Sequence, residues 1–429
     1  MKALDNKAFN LFDLGLKKAG KVRLFDENAL DEDGNLIDFE TQVAIVSHYL
    51  QTKGTKNSKP FRDKAPKFIK LWNEWVKGRP QEYNLDDSIA AEPSALDTYL
   101  FHDIYNPPFK PVDKPKFTFI DLFAGIGGFR IAMQNLGGKC IFSSEWDAQA
   151  QKTYFANYGE MPFGDITRES TKQYIPDNFD VLCAGFPCQA FSIAGYRKGF
   201  EDTRGTLFFD IAEILRRKRP KAFFLENVKN LRTHDNGRTY EVIMNTLSDL
   251  GYITYSKVMN SMEYANVPQN RERIFIVGFN PDSTDKYKKF SFPEKIELTR
   301  NIHDCIDNTV TDDSLFYREN NRYYSVLVKD MKNPDTIYQW RRKYVRENQS
   351  NVCPTLTANM GEGGHNVPLI LTDKGIRKLT PKECLNFQGY PENFEFPKNI
   401  ARSSMYKQAG NSVTVPLIQR VAQNIIKLL

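Results

Sequence analysis

The chain has 429 residues, of which 41% are hydrophobic and 26% are charged, and its formal net charge is +6. This length allows two or three domains with sizeable cores, whereas no apolar run approaches the roughly 18–20 residues that span a membrane. The first residues show no apolar core or cleavage site, so the sequence predicts no secretory signal, and the mild positive charge permits nucleic acid binding without arguing for it.

The cysteines are scattered along the chain. They form no CxxC pair, and no histidine cluster has metal-ligand spacing, so the sequence predicts no metal site. Unpaired cysteines are typical of the reducing cytoplasm, which is the location that we expect, and Cys188 is then a free thiol. The six positions are Cys140, Cys183, Cys188, Cys305, Cys353 and Cys384.

Residues 1–112 are predicted to form a small helical module that ends in the proline-rich linker Pro107–Pro115. A helix is expected between Pro66 and Gly78, because proline favours a helix start and glycine a helix end, and a second one around Val43–Tyr49. The module is either a stabilising appendage, which we prefer, or a DNA-binding or autoregulatory element. One face of the first helix holds Phe68, Ile69, Trp72, Trp75 and Val76.

Apolar runs alternate with helical patterns from residue 117 to about residue 279. Strands with few polar interruptions are typical of a sheet that is covered on both faces, so the sequence predicts an α/β catalytic domain over residues 113–290, completed by 400–429. A helix with an apolar stripe and a basic C-terminal end is expected over Leu207–Arg217. The predicted strands are Phe117–Leu122, Cys140–Ser144, Val181–Gly185, Ala222–Leu225 and Ile274–Gly278.

A glycine-rich turn, Asp121–Gly128, follows the first strand and opens a helix, which lets a ligand approach the backbone. The second strand ends in Glu145 and Trp146, where a carboxylate can bind ribose hydroxyls and an indole can face an adenine ring. Asp165 can bind an exocyclic amine. Together these signals favour a nucleoside cofactor, although Glu145 is alternatively a solvated strand end and Trp146 a packed core residue. The chain has no P-loop lysine, so ATP chemistry is not indicated.

Cys188 follows the predicted strand Val181–Gly185 and therefore lies at the carboxyl end of the strand, where open α/β sheets place their chemistry. Glu226 follows a second buried run in the same way. A nucleophile and a carboxyl acid at neighbouring strand ends suggest attack on an electron-poor ring that is protonated as it is attacked. The alternative is an inert buried thiol. The basic, glycine-bracketed stretch from Ser192 to Arg204 is typical of a mobile lid over an anionic substrate.

Two arginines, Arg271 and Arg273, precede the last predicted strand and point the same way on an extended segment. Such a pair can hold a base oxygen and a phosphate. The alternative is a surface salt-bridge pair with Glu272.

Residues from about 290 to 376 are polar, aromatic and basic, which indicates an inserted domain. Tyr338–Arg346 contains Arg341 and Arg342, and the glycine-rich stretch Gly361–Asn366 contains Gly363 and Gly364. The chain then returns to an apolar helical pattern from Tyr406 to Leu429.

Residues 117–429 resemble the cytosine-5 DNA methyltransferases of bacterial restriction–modification systems. The resemblance lies in ordered blocks, whose recurrence in this order by chance is not credible. Asn386 and Phe387 stand where that family usually has Arg-Leu or a similar pair, in a block that is mainly structural. The matching blocks are Phe119–Gly128, Glu145–Trp146, Gly164–Ile166, Gly185–Ser192, Arg204–Phe208, Glu226–Val228, Gln269–Arg273, Arg377–Cys384, Gln388–Pro391 and Gln408–Val413.

The resemblance implies a doubly wound, Rossmann-like methyltransferase sheet that uses S-adenosyl-L-methionine. It implies that Cys188, with Gln189 beside it, attacks carbon 6 of a flipped cytosine while Glu226 contacts the pairing edge of the base. Arg273 then holds the base oxygen and Arg271 a nearby phosphate. Carbon 5 takes the methyl group, and loss of its proton expels the cysteine.

The resemblance also assigns the remaining sites and partners. Residues 291–399 become a target-recognition domain, the substrate is double-stranded DNA, and we expect a monomer at the bacterial nucleoid that functions with a restriction endonuclease. The implied DNA contacts are Ser192, Arg204, Arg341, Arg342, Gly363 and Gly364. The implied cofactor contacts are Phe123, Gly125, Gly127, Glu145, Trp146, Asp165, Ile166, Asn411 and Ser412.

Two other functions remain open from the sequence. A methyltransferase of the same fold can act on RNA, although the insert between Arg273 and Arg377 favours duplex DNA, because an enzyme that reads folded RNA has less need of a base-reading domain. A catalytically silent DNA-binding or regulatory protein is the second, and the presence of Cys188 and Glu226 argues against it.

Overall fold

The computed structural model describes residues 37–78, 81, 89, 92–187, 207–341, 343–348, 350–362 and 366–429. The chain divides into two compact units. The first contains the described residues up to Asp113 together with Ile141–Asp177, and the second contains Lys114–Cys140 with the described part of Asn178–Leu429. Among the described residues, no helix combines the length and the apolar character that crossing a membrane requires.

The strands include all those predicted from the sequence, with small differences at their ends. Five further strands were not predicted. One is Ile253–Asn260, whose half-exposed and polar residues break the apolar run that marks the predicted strands, and the other four lie between Tyr338 and Lys378 in the insert. The strands are β1 Phe117–Leu122, β2 Gly138–Ser144, β3 Val181–Gly185, β4 Ala222–Val228, β5 Ile253–Asn260, β6 Glu272–Phe279, β7 Tyr338–Arg341, β8 Tyr344–Glu347, β9 Leu369–Thr372 and β10 Gly375–Lys378.

Three predicted helices are confirmed. Two lie in the N-terminal module, and the third begins at Leu207. The predicted C-terminal helix is in fact two helices, since Ser412 adopts an extended conformation between them. The helices are α1 Phe39–Thr52, α2 Ala65–Lys77, α3 Pro93–Leu100, α4 His102–Tyr105, α5 Gly128–Asn135, α6 Ala148–Tyr158, α7 Glu169–Lys172, α8 Leu207–Lys218, α9 Arg238–Asp249, α10 Ser261–Tyr264, α11 Tyr324–Asp330, α12 Pro381–Asn386, α13 Arg402–Asn411 and α14 Val415–Ile426.

The first unit has a core of helices and aromatic rings. Asp38 precedes helix α1, and its carboxylate accepts a hydrogen bond from the Thr41 N–H at 2.7 Å and so caps the helix. In α2, Trp72 is fully buried, as the apolar stripe predicted. The Phe163 ring stacks on Phe61 at 6.1 Å. One core therefore holds the described N-terminal helices and the segment Ile141–Asp177 together.

The second unit contains the larger sheet, with β1, β3, β4, β6 and β5 in this spatial order. Strands β1, β3 and β4 are parallel, whereas β6 runs antiparallel between β4 and β5. The central strands are buried on both faces, in agreement with their continuous apolar sequences. Strand β2 crosses between the units, because residues 138–140 belong to the second and 141–144 to the first. The parallel strands β3 and β4 thus end side by side at one edge of the sheet.

A smaller antiparallel sheet, in the order β10-β9-β7-β8, lies within the predicted insert. Leu327, Met331, Tyr338, Leu369 and Ile376 form its buried cluster. At the end of the chain, α14 packs against α5 within the second unit. Asn135 Nδ2 at the end of α5 donates a hydrogen bond to Gln419 Oε1 at 3.0 Å. The C-terminal helix therefore belongs to the same unit as the central sheet.

Candidate active site

Several of the expected site residues lie outside the described residues. Strand β3 ends at Gly185, and the described residues run to Pro187 and resume at Leu207. The expected residues outside the described part are Cys188, Gln189, Ser192, Arg204, Arg342, Gly363 and Gly364.

The chain that leads to Cys188 is anchored to the end of β4. Gly185 pairs in register with Glu226 across the parallel strands, and Asn227 Nδ2 donates a hydrogen bond to the Phe186 carbonyl oxygen at 2.8 Å. The backbone at Gly185 and Phe186 is therefore fixed beside Glu226 and Asn227 at the end of β4. The sequence had singled out Glu226 and Cys188, and the pairing of β3 with β4 places Glu226 beside the end of the strand that precedes Cys188 in the sequence. A shared site for the two residues stays a prediction.

Glu226 and Arg273 form a close ion pair. Glu226 lies opposite Phe275 in the antiparallel pair of β4 and β6, so Arg273, two residues away, shares its face of the sheet. Arg273 Nε lies 2.9 Å from Glu226 Oε1, and the two side chains are 15% and 10% exposed. The Oε1 atom is itself enclosed, and Arg273 is its close charged neighbour. The carboxylate of Glu226 and the guanidinium of Arg273 are therefore held against each other in a largely enclosed place.

The surroundings of Glu226 favour its protonated form more than water does. Burial raises the pKa of the Glu226 carboxyl, while the positive charges of Arg273 and then Arg271 lower it, and burial prevails. A carboxyl group that keeps its proton to higher pH than an ordinary glutamate can donate a hydrogen bond or a proton. This electrostatic state suits an acid that contacts a ring nitrogen.

Arg271 has a different place from the one expected. It is 1% exposed, and its Nη1 donates to the Leu356 carbonyl oxygen at 2.7 Å while its Nη2 donates to those of Gly410 at 3.2 Å and Ser412 at 2.5 Å. A guanidinium that is enclosed and bonded to three carbonyl groups does not reach a phosphate. We therefore revise its role from a phosphate contact to a residue that positions these segments next to β6.

The glycine turn after β1 has the conformation that the sequence predicts for a tight turn. Gly127 has a φ of 83°, and Phe123 has a φ of 53°, which is rare for a residue with a side chain. A Cβ on Gly128 would lie 2.6 Å from the Val413 side chain and 2.7 Å from the Tyr390 hydroxyl. This close approach brings the segment after α13 onto the first turn of α5. The turn with Gly125 and the Asn411–Ser412 segment are thus brought together within the second unit.

In the first unit, Glu145, Trp146 and Asp165 are brought together by a short strand pairing. Ser144 pairs with Phe163, and the Glu145 N–H donates to the Phe163 carbonyl oxygen at 2.8 Å. Trp146 is 82% exposed, which excludes its alternative role as a core residue, and Ile166 is buried. Asp165 Oδ1 accepts hydrogen bonds from the Thr167 N–H and hydroxyl. Two carboxylates and an open aromatic face therefore flank one short pairing.

A polar groove of about 420 Å³ lies between the smaller sheet and the start of β6. Arg341, from the set predicted to contact DNA, lines it and donates to Gln339 at 3.1 Å. Sequence reasoning missed most of the lining residues, although alternation along β7 and β8 was the available signal. The missed lining residues include Gln339, Arg346, Asn348, Thr355 and Asn359.

The described cysteines are unpaired and buried. Burial raises the pKa of the Cys305 thiol to about 11 and that of the Cys183 thiol well above its ordinary value. In the part of the chain that the structure describes, no group of three histidine, cysteine or acidic side chains has the arrangement to hold a metal ion. Because their pKa values are raised, the Cys183 and Cys305 thiols are poor nucleophiles near neutral pH.

Comparisons with known proteins identify the family of the chain and agree with its fold. A family model described as C-5 cytosine-specific DNA methylase matches residues 117–427. The type II methyltransferase M.Bsp6I of Bacillus sp. (strain RFL6) is 52% identical over 310 residues, which are 71% of this chain and 97% of the relative. M.HpaII of Haemophilus parainfluenzae, also a type II methyltransferase, is 46% identical over 360 residues, or 80% of this chain and 98% of the relative.

Solved structures show the same fold at low sequence identity. The S. pombe Dnmt2 methyltransferase has a TM-score of 0.54 and 19% identity, covering 73% of this chain and 99% of its own. The Entamoeba histolytica methyltransferase EhMeth has the same TM-score at 17% identity and the same coverages. At this identity the likeness concerns the fold alone, the methyltransferase α/β fold. With the family match over residues 117–427, the conclusion is that this enzyme belongs to the C-5 cytosine-specific DNA methylase family.

Proposed function

We propose that the protein methylates carbon 5 of a cytosine that is flipped out of a short duplex DNA sequence, through a covalent adduct with Cys188. We further propose that this methylation protects the sequence from a partner restriction endonuclease. The observation that carries the proposal is the buried Glu226–Arg273 pair, which lies beside the anchored approach to Cys188. This pair offers a proton donor and a cation to one face of an incoming base.

The proposed reaction needs both a nucleophile and an acid. The Cys188 thiolate adds to carbon 6 of cytosine, and the negative charge that develops on the ring is met at the ring nitrogen by the proton of Glu226. Carbon 5 of the resulting enamine would take the methyl group of S-adenosylmethionine, and the electrons of the broken carbon–sulfur bond would stay on the sulfur, which leaves as a neutral thioether. A base then removes the proton from carbon 5, and the electron pair that is released expels the cysteine sulfur. The target atom is enclosed in the duplex, so flipping the base costs a few kcal/mol.

S-adenosylmethionine, when bound, supplies an electrophilic methyl group on a sulfonium and needs no metal. The residues present fit such a group. Trp146 offers an open ring face for an adenine, and Glu145 and Asp165 offer carboxylates for ribose hydroxyls and an amine. The tight turn with Phe123, Gly125 and Gly127, all at positive φ, lets the polar end approach the backbone. We assign Ile166 to the adenine site and Asn411 and Ser412 to the methionine end.

We assign DNA contact to the polar groove beside the smaller sheet. Its arginine and amide side chains, such as Arg341 and Asn348, suit phosphate oxygens and base edges. Glycine-rich residues 363–364 and the arginines 204 and 342 belong to the same proposal through the resemblance. The groove is larger than a single base requires, so it fits reading of the duplex outside the catalytic pocket.

Arg273→Gln is expected to move the alkaline decline of the single-turnover rate to higher pH. The positive charge of Arg273 lowers the pKa of Glu226, so its loss raises that pKa and keeps the acid protonated over a wider range, although the maximal rate falls because the base loses a contact. The measurement is the pH dependence of methyl transfer in the preformed DNA complex.

Lys229→Gln is the matched control for this measurement, because Lys229 Nζ pairs with Glu272 at 2.7 Å and not with Glu226. It should leave the decline where the wild-type enzyme has it. An Arg273→Gln decline at the wild-type pH would contradict the assignment of the acid to Glu226.

The function is tested by incubating the protein with methyl-labelled S-adenosylmethionine and either duplex DNA or transfer RNA. We expect label in DNA alone, and bisulfite sequencing of DNA from expressing cells to show 5-methylcytosine at one short sequence. Label only in RNA would replace the proposal by the RNA alternative. Absence of label from both substrates would favour a catalytically silent protein.

A further inference from the structure

Helix α1 of the N-terminal region makes a hydrogen bond to the backbone of β2. His48 Nε2 accepts the Ser143 N–H at 3.1 Å, and the carbonyl oxygen of Ser143 accepts the Phe163 N–H at 2.9 Å. The N–H and the C=O of one residue lie on the same side of a strand, so His48 and the Phe163 segment together cover that side of β2. The bonded peptide group lies two residues before Glu145.

His48 belongs to a fully buried polar cluster. Its Nδ1 lies 2.8 Å from the Ala44 carbonyl oxygen, which requires a hydrogen on Nδ1 and leaves Nε2 as the acceptor for Ser143. The Ser143 hydroxyl donates to Glu160 Oε1 at 2.8 Å, and this oxygen is also 3.3 Å from His48 Nε2. All of these side chains are 0% exposed, so water cannot replace a lost partner.

The same helix holds the chain between α6 and Asp165. Ser47 Oγ accepts the Met161 N–H at 3.1 Å, and Gln51 Nε2 donates to the Tyr158 carbonyl oxygen at 2.7 Å. Both ends of the short pairing that brings Glu145 and Asp165 together are thus bonded to α1. The family model begins only at residue 117, so these contacts come from a part of the chain outside it.

We propose that His48, with Ser47 and Gln51, is a positioning residue for S-adenosylmethionine binding, and that the N-terminal region is a working part of the adenosine site. This inference rests on the proposed function, because it takes Glu145, Trp146 and Asp165 as cofactor contacts. Without the His48 acceptor the buried Ser143 N–H loses its partner, and the peptide groups that orient Glu145 and Trp146 shift. The effect falls on cofactor affinity, since none of these residues touches the DNA groove.

The test is His48→Leu in the full chain, with calorimetric titration of S-adenosylmethionine alone. We expect a dissociation constant raised about tenfold, the size that an unsatisfied buried donor implies, with kcat at saturating cofactor nearly unchanged. His48→Gln keeps an oxygen acceptor in place of Nε2 and should restore much of the affinity. Trp72→Phe is the matched control. Trp72 packs against Phe39 and Phe101, so its replacement by a smaller ring should destabilise the same helices without removing the His48 hydrogen bonds.

Glu145→Ala distinguishes a failure of the proposed cofactor site from a failure of the positioning role of His48. If the wild-type protein binds no cofactor, or if Glu145→Ala leaves binding unchanged, the proposed cofactor site fails. If Glu145→Ala abolishes binding but His48→Leu weakens it no more than Trp72→Phe at equal melting temperature, the positioning role alone is overturned. Should His48→Leu not fold, Ser47→Ala, which removes the acceptor of the Met161 N–H, must weaken binding in the same direction for the proposal to stand.

Discussion

Replacing Cys188 with serine is expected to abolish the covalent complex with DNA that contains 5-fluorocytosine and to lower turnover by about 10⁴-fold or more. Fluorine on carbon 5 cannot leave as a cation, so the wild-type adduct is trapped after methyl transfer. A serine hydroxyl remains protonated at neutral pH and adds poorly to carbon 6. The measurement is a protein–DNA band that survives denaturing electrophoresis, together with the steady-state rate.

Cys183→Ala provides the matched control, in the strand that precedes Cys188 in the sequence. Cys183 is fully buried, and burial together with Asp121 and Cys140 raises the pKa of its thiol well above the ordinary value. This variant should still form the trapped adduct. If Cys188→Ser also formed it, or if Cys183→Ala lost it while remaining folded, the nucleophile would be misassigned.

Glu226→Gln is expected to lower kcat by roughly 10²–10⁴-fold, the range of general acid–base catalysis, while the dissociation constant for S-adenosylmethionine stays within about twofold. Glutamine keeps the shape of the side chain and an oxygen for Arg273, which lies 2.9 Å from the carboxylate. It cannot give up a proton to the ring as the thiolate adds. Single-turnover rates and calorimetric titration measure the two quantities separately.

Glu213→Gln is the control for this change, because Glu213 pairs with Arg217 one turn further along α8. It should leave both quantities unchanged. Comparable losses of turnover and cofactor affinity in Glu226→Gln would show that this residue supports the fold of the site instead of protonating the base.

The candidate site was predictable where chemistry follows a strand end. Glu226 and the chain before Cys188 are adjacent because β3 and β4 are parallel and end together, as apolar runs followed by polar residues indicate. The two arginines show the limit of this reasoning. Their spacing places both on one side of an extended segment, yet Arg271 lies before β6 and is enclosed by the Leu356, Gly410 and Ser412 carbonyl groups, which are distant in sequence.

The strands also divide into those that the sequence predicted and those that only the structure showed. Five strands were predictable, because burial on both faces requires uninterrupted apolar residues. Strand β5 was not, since it pairs only with β6 and leaves polar and half-exposed side chains along its length. The antiparallel direction of β6 also came only from the structure, because a strand's sequence does not encode the direction of its neighbour.

The amino-acid sequence by itself determined the order of chemical groups along the chain: a glycine turn, acidic strand ends, a cysteine, and a basic insert before a final apolar segment. Tertiary structure alone decided that the N-terminal helices share a core with residues 141–177. The bonds of His48 to Ser143 and of Met161 to Ser47 join residues 95 and 114 positions apart. Local periodicity reveals which face of a helix is apolar, but the partner that buries this face is chosen by packing and hydrogen bonding over the whole fold.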